Sequence, residues 1–185
     1  KASSHIALLG LHYKDKNYDA ILKQVKATVV GLDKKQRASE GVIVGQTYFQ
    51  KKNYSKAVEY FLQVESAVPG SDQAFEAAYY KLLCLYNIEG ENIPKRVDLF
   101  IQNYAVGRGT SKQIHLALLM KAETLYGQKK YKEAAESYNA ISTQFIDAKN
   151  LPSLLYKQGW CLSEISNHSG AVHSFSQFIE LAPDD

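Results

Sequence analysis

Residues 45–69, GQTYFQKKNYSKAVEYFLQVESAVP, carry the pattern that decides the fold. Gly45 is followed by Tyr48, Tyr54, Ala57, Phe61 and Pro69. Residues 159–183 set beneath them without a gap bring Gly159, Leu162, His168, Ala171, Phe175 and Pro183 into line. Residues 122–146 bring Ala122, Leu125, Tyr131, Ala134, Tyr138 and Ile146. The shared template is small, bulky, ring, small, ring, stop, and such a recurrence marks a stacked repeat. Small residues on two helices let their axes approach, and rings fill the space that close packing leaves. The polar stretch Gln50 to Asn53 reads as the turn between them, and Pro69 ends the second helix because proline cannot continue it. In the second helix of the fourth unit, Tyr131, Ala134, Ala135, Tyr138 and Ile141 form an apolar stripe of helical period.

Two weaker units complete the series. Leu83, Tyr86, Val97 and Ile101 fit with a turn two residues longer, and Gly10, Tyr13, Tyr18, Ile21 and Val25 fit with a turn one residue shorter. The helices expected are 2–14, 17–32, 36–51, 54–68, 71–88, 94–106, 110–127, 131–146, 150–165 and 168–182. They make an all-α, right-handed α-solenoid of five antiparallel hairpins, at 2–32, 36–68, 71–106, 110–146 and 150–182. One solenoid domain then spans 1–185. The opening at Lys1 reads as a piece cut from a longer chain.

Composition narrows the function classes. A net charge of +3 lacks the strong basic bias of nucleic-acid binders. No apolar run is long enough to insert this segment in a membrane. Cys84 and Cys161 show neither metal-ligand nor redox spacing, and two hairpins apart they are expected to be free thiols.

The template residues resemble the tetratricopeptide repeat, best over 38–71, with 115–148 and 152–185 close behind. The second-helix small position recurs at Ala57, Val97, Ala134 and Ala171, spacings of 40, 37 and 37 against about 34 in that family. The lengthened repeats and the phrase VPGSDQAFEAAYY at 68–80 resemble bacterial envelope-associated repeat proteins, which points to the periplasm or envelope, with the cytoplasm as the alternative. The family implies a concave groove lined by first helices that holds a peptide or partner domain. First-helix residues outside the template would supply it: Leu11, Lys14, Gln46, Phe49, Tyr80, Asn87, Glu123, Tyr126, Tyr156 and Trp160. Rings give contact area at low entropy cost. The other reading of Tyr80, Tyr156 and Trp160 is packing between hairpins. A polycationic clamp for an acidic C-terminus does not fit, because Leu11, Gln46, Cys84, Glu123 and Trp160 stand there with only Lys81 and Lys157 nearby.

The remaining signals read as structure. Lys14 and Lys16, Lys51 and Lys52, and Lys129, Lys130 and Lys132 gather at turns, as solvated loops or else as a basic rail. His5 and His12 could share a face, and His168 and His173 do not face each other; neither pair has a further ligand, so no metal or cofactor is expected. No nucleophile–base motif or phosphate loop occurs, and GRG at 107–109 is too short to cradle a dinucleotide, so an enzyme is not expected. The sequence therefore points to a protein- or peptide-binding scaffold. The alternative is a structural spacer or self-assembly segment with no peptide ligand. A solenoid ends in a polar cap, and none follows the fifth hairpin. Its apolar side chains should be exposed, to be covered by further chain or by self-association through the end hairpins.

Overall fold

The computed structural model describes residues 2–26 and 31–181. The helices are Ala2–Lys14 (α1), Tyr18–Val25 (α2), Lys34–Gln50 (α3), Tyr54–Ala67 (α4), Asp72–Glu89 (α5), Ile93–Tyr104 (α6), Lys112–Gly127 (α7), Tyr131–Asn139 (α8), Leu151–Glu164 (α9) and His168–Leu181 (α10). No strand occurs among the described residues. Two compact units divide at the end of α5, Lys1–Glu89 and Gly90–Asp185. In the first, α1 packs on α2 and α3, and α3, α4 and α5 pack on one another. In the second, α6 packs on α7, α7 on α8, α8 on α9, and α9 on α10.

The template residues meet as their sizes demand. A Cβ added to Gly45 would stand 2.5 Å from the Phe61 ring, and one added to Gly159 would stand 2.8 Å from the Phe175 ring. Ala122 and Tyr138 occupy the same positions in α7 and α8, and both are buried. Ala57, Ala134 and Ala171 are buried opposite. The hairpins α3–α4, α7–α8 and α9–α10 thus pack a ring from the second helix into a gap on the first.

Four hairpin turns share one backbone. Lys16, Lys52, Lys129 and Ser166 hold φ of 57°, 58°, 59° and 60°, the left-handed region that favours glycine. Around Lys52, its own N–H donates to Phe49 O at 2.9 Å and the Asn53 N–H donates to Tyr48 O at 2.9 Å. The same bond pair forms at Lys16 and Asn17, Lys129 and Lys130, and Ser166 and Asn167. These paired bonds satisfy carbonyls that a helix end leaves open. The residue after the left-handed one then starts the next helix. Asn17, Asn53 and Asn167 accept with Oδ1 from the N–H of Ala20, Lys56 and Gly170. Lys130 has the same backbone setting as Asn17 and Asn53 but makes no side-chain cap.

This common turn corrects the register expected for the first hairpin. The turn at Lys16 is not one residue shorter: counted from it, Leu9 takes the place of Gly45, Ile21 that of Ala57 and Val25 that of Phe61. Leu9 and Ile21 are fully buried, whereas Gly10 faces open space. The pair keeps its combined bulk by exchanging it, with the larger side chain on the first helix and the smaller on the second.

Two expected helices end early. The helix expected over 131–146 stops at Asn139. The Ser142 N–H donates instead to His115 Nδ1 at 3.1 Å, and the His115 ring stacks on Phe145 at 4.5 Å. Ile141 and Ile146 still reach the core, so the apolar spacing continued where the helix did not. The helix expected over 17–32 ends at Val25 with Lys26 as its cap, and residues 27–30 of that expectation lie outside the described residues. Pro69, as expected, follows the end of α4.

Because the Phe61 ring leaves no space for a methyl group, Gly45→Ala should lower stability by about 1–3 kcal/mol in urea unfolding. Lys130→Asn, supplying the missing cap, should raise it by about 1 kcal/mol. Unchanged midpoints in both would contradict the packing and the cap described.

Candidate functional site

In the first unit the expected face residues are largely engaged with one another. Gln46 is buried and its amide donates to Glu76 Oε1 at 2.6 Å, joining α3 to α5. Phe49 lies edge-on to Tyr80 at 5.7 Å and tilts against Tyr54 at 5.7 Å. Tyr80 also stacks on Phe61 at 5.8 Å, so both rings pack between α3, α4 and α5. Burial pushes the Tyr80 hydroxyl up to about 12. Asn87 is exposed and its amide donates back to Leu83 O at 2.8 Å within its own helix. Leu11 and Lys14 are exposed on α1.

His5 performs a structural task that the sequence did not reveal. Its Nε2 donates to Glu40 Oε1 at 2.7 Å, and its Nδ1 accepts from the Gln24 amide at 3.0 Å. One buried ring thereby ties α1, α2 and α3. His115 does the same for the segment after α8. Neither histidine had a spacing signal, because their partners lie 35 and 27 residues away.

The second unit combines a half-buried polar network with open rings. Glu123 on α7 accepts from the Tyr138 hydroxyl at 2.9 Å and from Lys157 Nζ on α9 at 2.5 Å. Lys157 Nζ also lies 5.7 Å from the centre of the Tyr126 ring, a cation–π contact. Tyr126 meets Tyr131 edge-on at 6.1 Å. Burial, and then the Glu123 charge, push the Tyr138 hydroxyl up. Tyr156 packs on Phe175 and Phe178 of α10 at 5.9 and 5.6 Å and on Trp160 at 6.4 Å. Trp160 remains 40% exposed and Tyr156 42%.

Counting from the turns explains the difference. Gln46, Glu123 and Trp160 hold the same position on α3, α7 and α9. The first two reach forward to the next first helix, to Glu76 and Lys157. Trp160 instead rests against Tyr156 of its own helix and keeps open ring surface.

The lysines at the turns have a backbone role, since Lys16, Lys52 and Lys129 fill the left-handed position. Lys51 pairs with Asp19 at 2.9 Å. Cys84 and Cys161 are free and buried, and burial pushes their thiols up to about 12 and about 11. Among the described residues no group of three His, Cys, Asp or Glu side chains could hold a metal ion, and no helix is long and apolar enough to cross a membrane.

These features define an all-α helical-hairpin repeat protein whose first helices present aromatic, amide and ion-paired side chains. Tetratricopeptide-repeat family models match residues 42–67 and residues 153–185, and the chain is a tetratricopeptide-repeat protein. No curated protein matches the sequence. Among solved structures it is similar to MamA 41-end from Desulfovibrio magneticus RS-1, at TM-score 0.68 and 14% identity, covering 100% of this chain and 96% of that one. It is also similar to BtubC from P. vanneervenii, at TM-score 0.70 and 10% identity, covering 96% and 78%. A third is the Rap conjugation gene regulator of the plasmid pLS20 in complex with the Phr* peptide, at TM-score 0.57 and 14% identity, covering 97% and 52%. At these identities the likeness is one of fold.

Buried hydroxyls and thiols make stability depend on alkaline pH. Tyr80, Cys84 and Cys161 hold their protons more tightly folded than at their ordinary values of 10.0, 9.0 and 9.0. Their contribution is complete below the unfolded values and is lost as pH rises towards the folded ones. The urea midpoint should therefore hold to about pH 9 and fall towards pH 12. Tyr80→Phe should flatten that fall, and an identical descent in the variant would remove Tyr80 as a cause.

Proposed function

We propose that this chain is a protein-interaction scaffold that holds a protein or peptide segment on the first-helix face of its hairpins. The observation that carries this reading is the contrast among the face residues. Gln46, Phe49, Tyr80, Glu123 and Tyr126 are engaged with neighbouring helices, whereas Tyr156 and Trp160 keep open ring surface. Large rings held in place by packing are suited to anchoring a partner, because little side-chain freedom remains to be lost on binding. Tyr156 is held by Phe175 and Phe178, and Trp160 rests against Tyr156.

The Glu123–Lys157 pair lies beside the anchors and presents polar groups to a backbone or a charged side chain. Gln46, Phe49, Tyr80 and Asn87 form the corresponding face of the first unit, where Asn87 is the exposed member. The pLS20 Rap regulator, of similar fold, is in complex with a peptide, which supports a peptide as one form of partner. The family is one of binding modules, so the reading is of a scaffold rather than an enzyme. The packing of Phe49 and Tyr80 favours the second reading, a structural spacer without ligand, for the first unit.

Peptides selected from a random display library against the wild-type chain, and measured by calorimetry, provide the test. Trp160→Ala should weaken binding by about tenfold or more, the loss typical of a ring anchor, and Tyr156→Ala should weaken it as well. Asn87→Ala tests the first unit separately and should weaken only peptides bound to that unit's own face. A library that yields no binder, or binders indifferent to Trp160 and Tyr156, would move the assignment to the spacer.

A further inference from the structure

The two buried histidines differ in what donates to them. The Nδ1 of His5 accepts from the side-chain amide of Gln24 at 3.0 Å. A glutamine amide carries an acceptor oxygen as well as donors, and it can turn to offer either. The Nδ1 of His115 accepts from the backbone N–H of Ser142 at 3.1 Å. A main-chain N–H has only a donor to offer, and the chain on either side fixes its direction.

His115 stands near the start of α7, and Ser142 lies in the segment 140–150 that joins α8 to α9. The Phe145 ring of that segment stacks on the His115 ring, with planes 13° apart. Asp147 pairs with Lys112 of α7 at 3.0 Å, but both side chains are more than half exposed and solvent screens the pair. Lys112, one turn before His115 on α7, and Asp147 on the segment are the charged groups beside the ring on the two elements that meet there, and they offset one another. The stretch from Ser142 to Phe145 carries no charge of its own. The Ser142 bond needs a neutral ring, because Nδ1 accepts only while the proton sits on Nε2. Imidazoles change charge between about pH 5 and 8. A charged His115 would set two donors against each other across the Ser142 bond. A charged His5 keeps its Nε2 donation to Glu40, and Gln24 turns its oxygen to the other nitrogen.

We propose that His115 is an acid-released latch: protonation of its ring frees the Ser142 backbone from α7 and loosens the joint between α8 and α9, while the His5 node of the first unit stays closed. The Phe145 ring can remain on a charged imidazole, since an aromatic face attracts a cation. What acid removes is therefore the Ser142 bond. The latch is built from residues 112–147, within the second unit. The inference goes beyond the scaffold reading, and its test involves no ligand, so either can fail without the other.

Amide exchange followed by NMR from about pH 8 to 5 tests it, each rate taken relative to the unstructured rate at that pH. The His115 ring signals record its charge in the same samples. The Ser142 N–H should lose about tenfold of its protection in step with His115 protonation, the loss expected for one hydrogen bond. The Asn167 N–H, which donates to Leu162 O at 2.8 Å, should keep its protection throughout. His115→Asn supplies an acceptor oxygen that takes up no proton, and it should hold Ser142 protected across the range. His115→Phe keeps a ring for the stack without an acceptor, and it should leave Ser142 unprotected at every pH. Should either variant fail to fold, the wild-type titration decides alone. Ser142 protection that stays level while His115 becomes charged would overturn the proposal. So would a ring that stays neutral to the end of the titration, a Ser142 amide unprotected at the start of it, or an equal decline in His115→Asn.

Discussion

A ring on one helix and a gap on the helix before it, sixteen positions apart in the chain, set the geometry of three hairpins. Phe61 enters the gap at Gly45, Phe175 the gap at Gly159, and Tyr138 lies against Ala122. The first hairpin meets the same constraint with Leu9 and Val25 in exchanged sizes. What is held constant is the volume shared by the two positions, because helix separation depends on their sum. Everything placed on the outer faces, including Glu123, Lys157 and Trp160, takes its position from that separation.

The turns supply the second constraint. A left-handed residue followed by a capping residue lets one helix end and the next begin within four residues, at Lys16, Lys52, Lys129 and Ser166. Because the turn is fixed, register passes unchanged from the first helix to the second. The joints between hairpins vary instead. Gly31, Gly70 and Gly107 adopt positive φ at three of them, while two short 3-10 segments and the His115–Phe145 stack span the joint after α8. Much of the lengthened spacing of the repeat thus resides in the joints, while the α5–α6 connection runs through the 3-10 segment Gly90–Asn92 in place of the shared turn.

The sequence made the hairpins legible because their signals are local. Small and ring residues recur at fixed offsets, and Pro69 marks an end. The misreadings arose where local signals compete. Gly10 drew the register to itself because glycine fits the small position, while the turn chemistry of Lys16-Asn17, which carried the right answer, resembled ordinary loop composition. Ile141 and Ile146 kept helical spacing past the end of α8 because a non-helical segment can also bury apolar residues. The candidate site was legible only as a set of positions. Whether a ring there is packed or open depends on neighbours distant in sequence: Tyr80 packs on Phe49 and Phe61 of α3 and α4, whereas Trp160 rests on Tyr156 and keeps open surface. The ties made by His5 and His115 depend on partners distant in sequence and gave no local sign.

The position of Trp160 has an optical consequence. It is the chain's one tryptophan among thirteen tyrosines, and it sits on the open ring surface of α9. Its emission therefore reports the solvent and polarity around that surface without any label. Absorption by the tyrosines reports both units, but the indole signal belongs to the second unit alone. Unfolding followed at the two wavelengths would show whether the halves of this chain melt together or in turn.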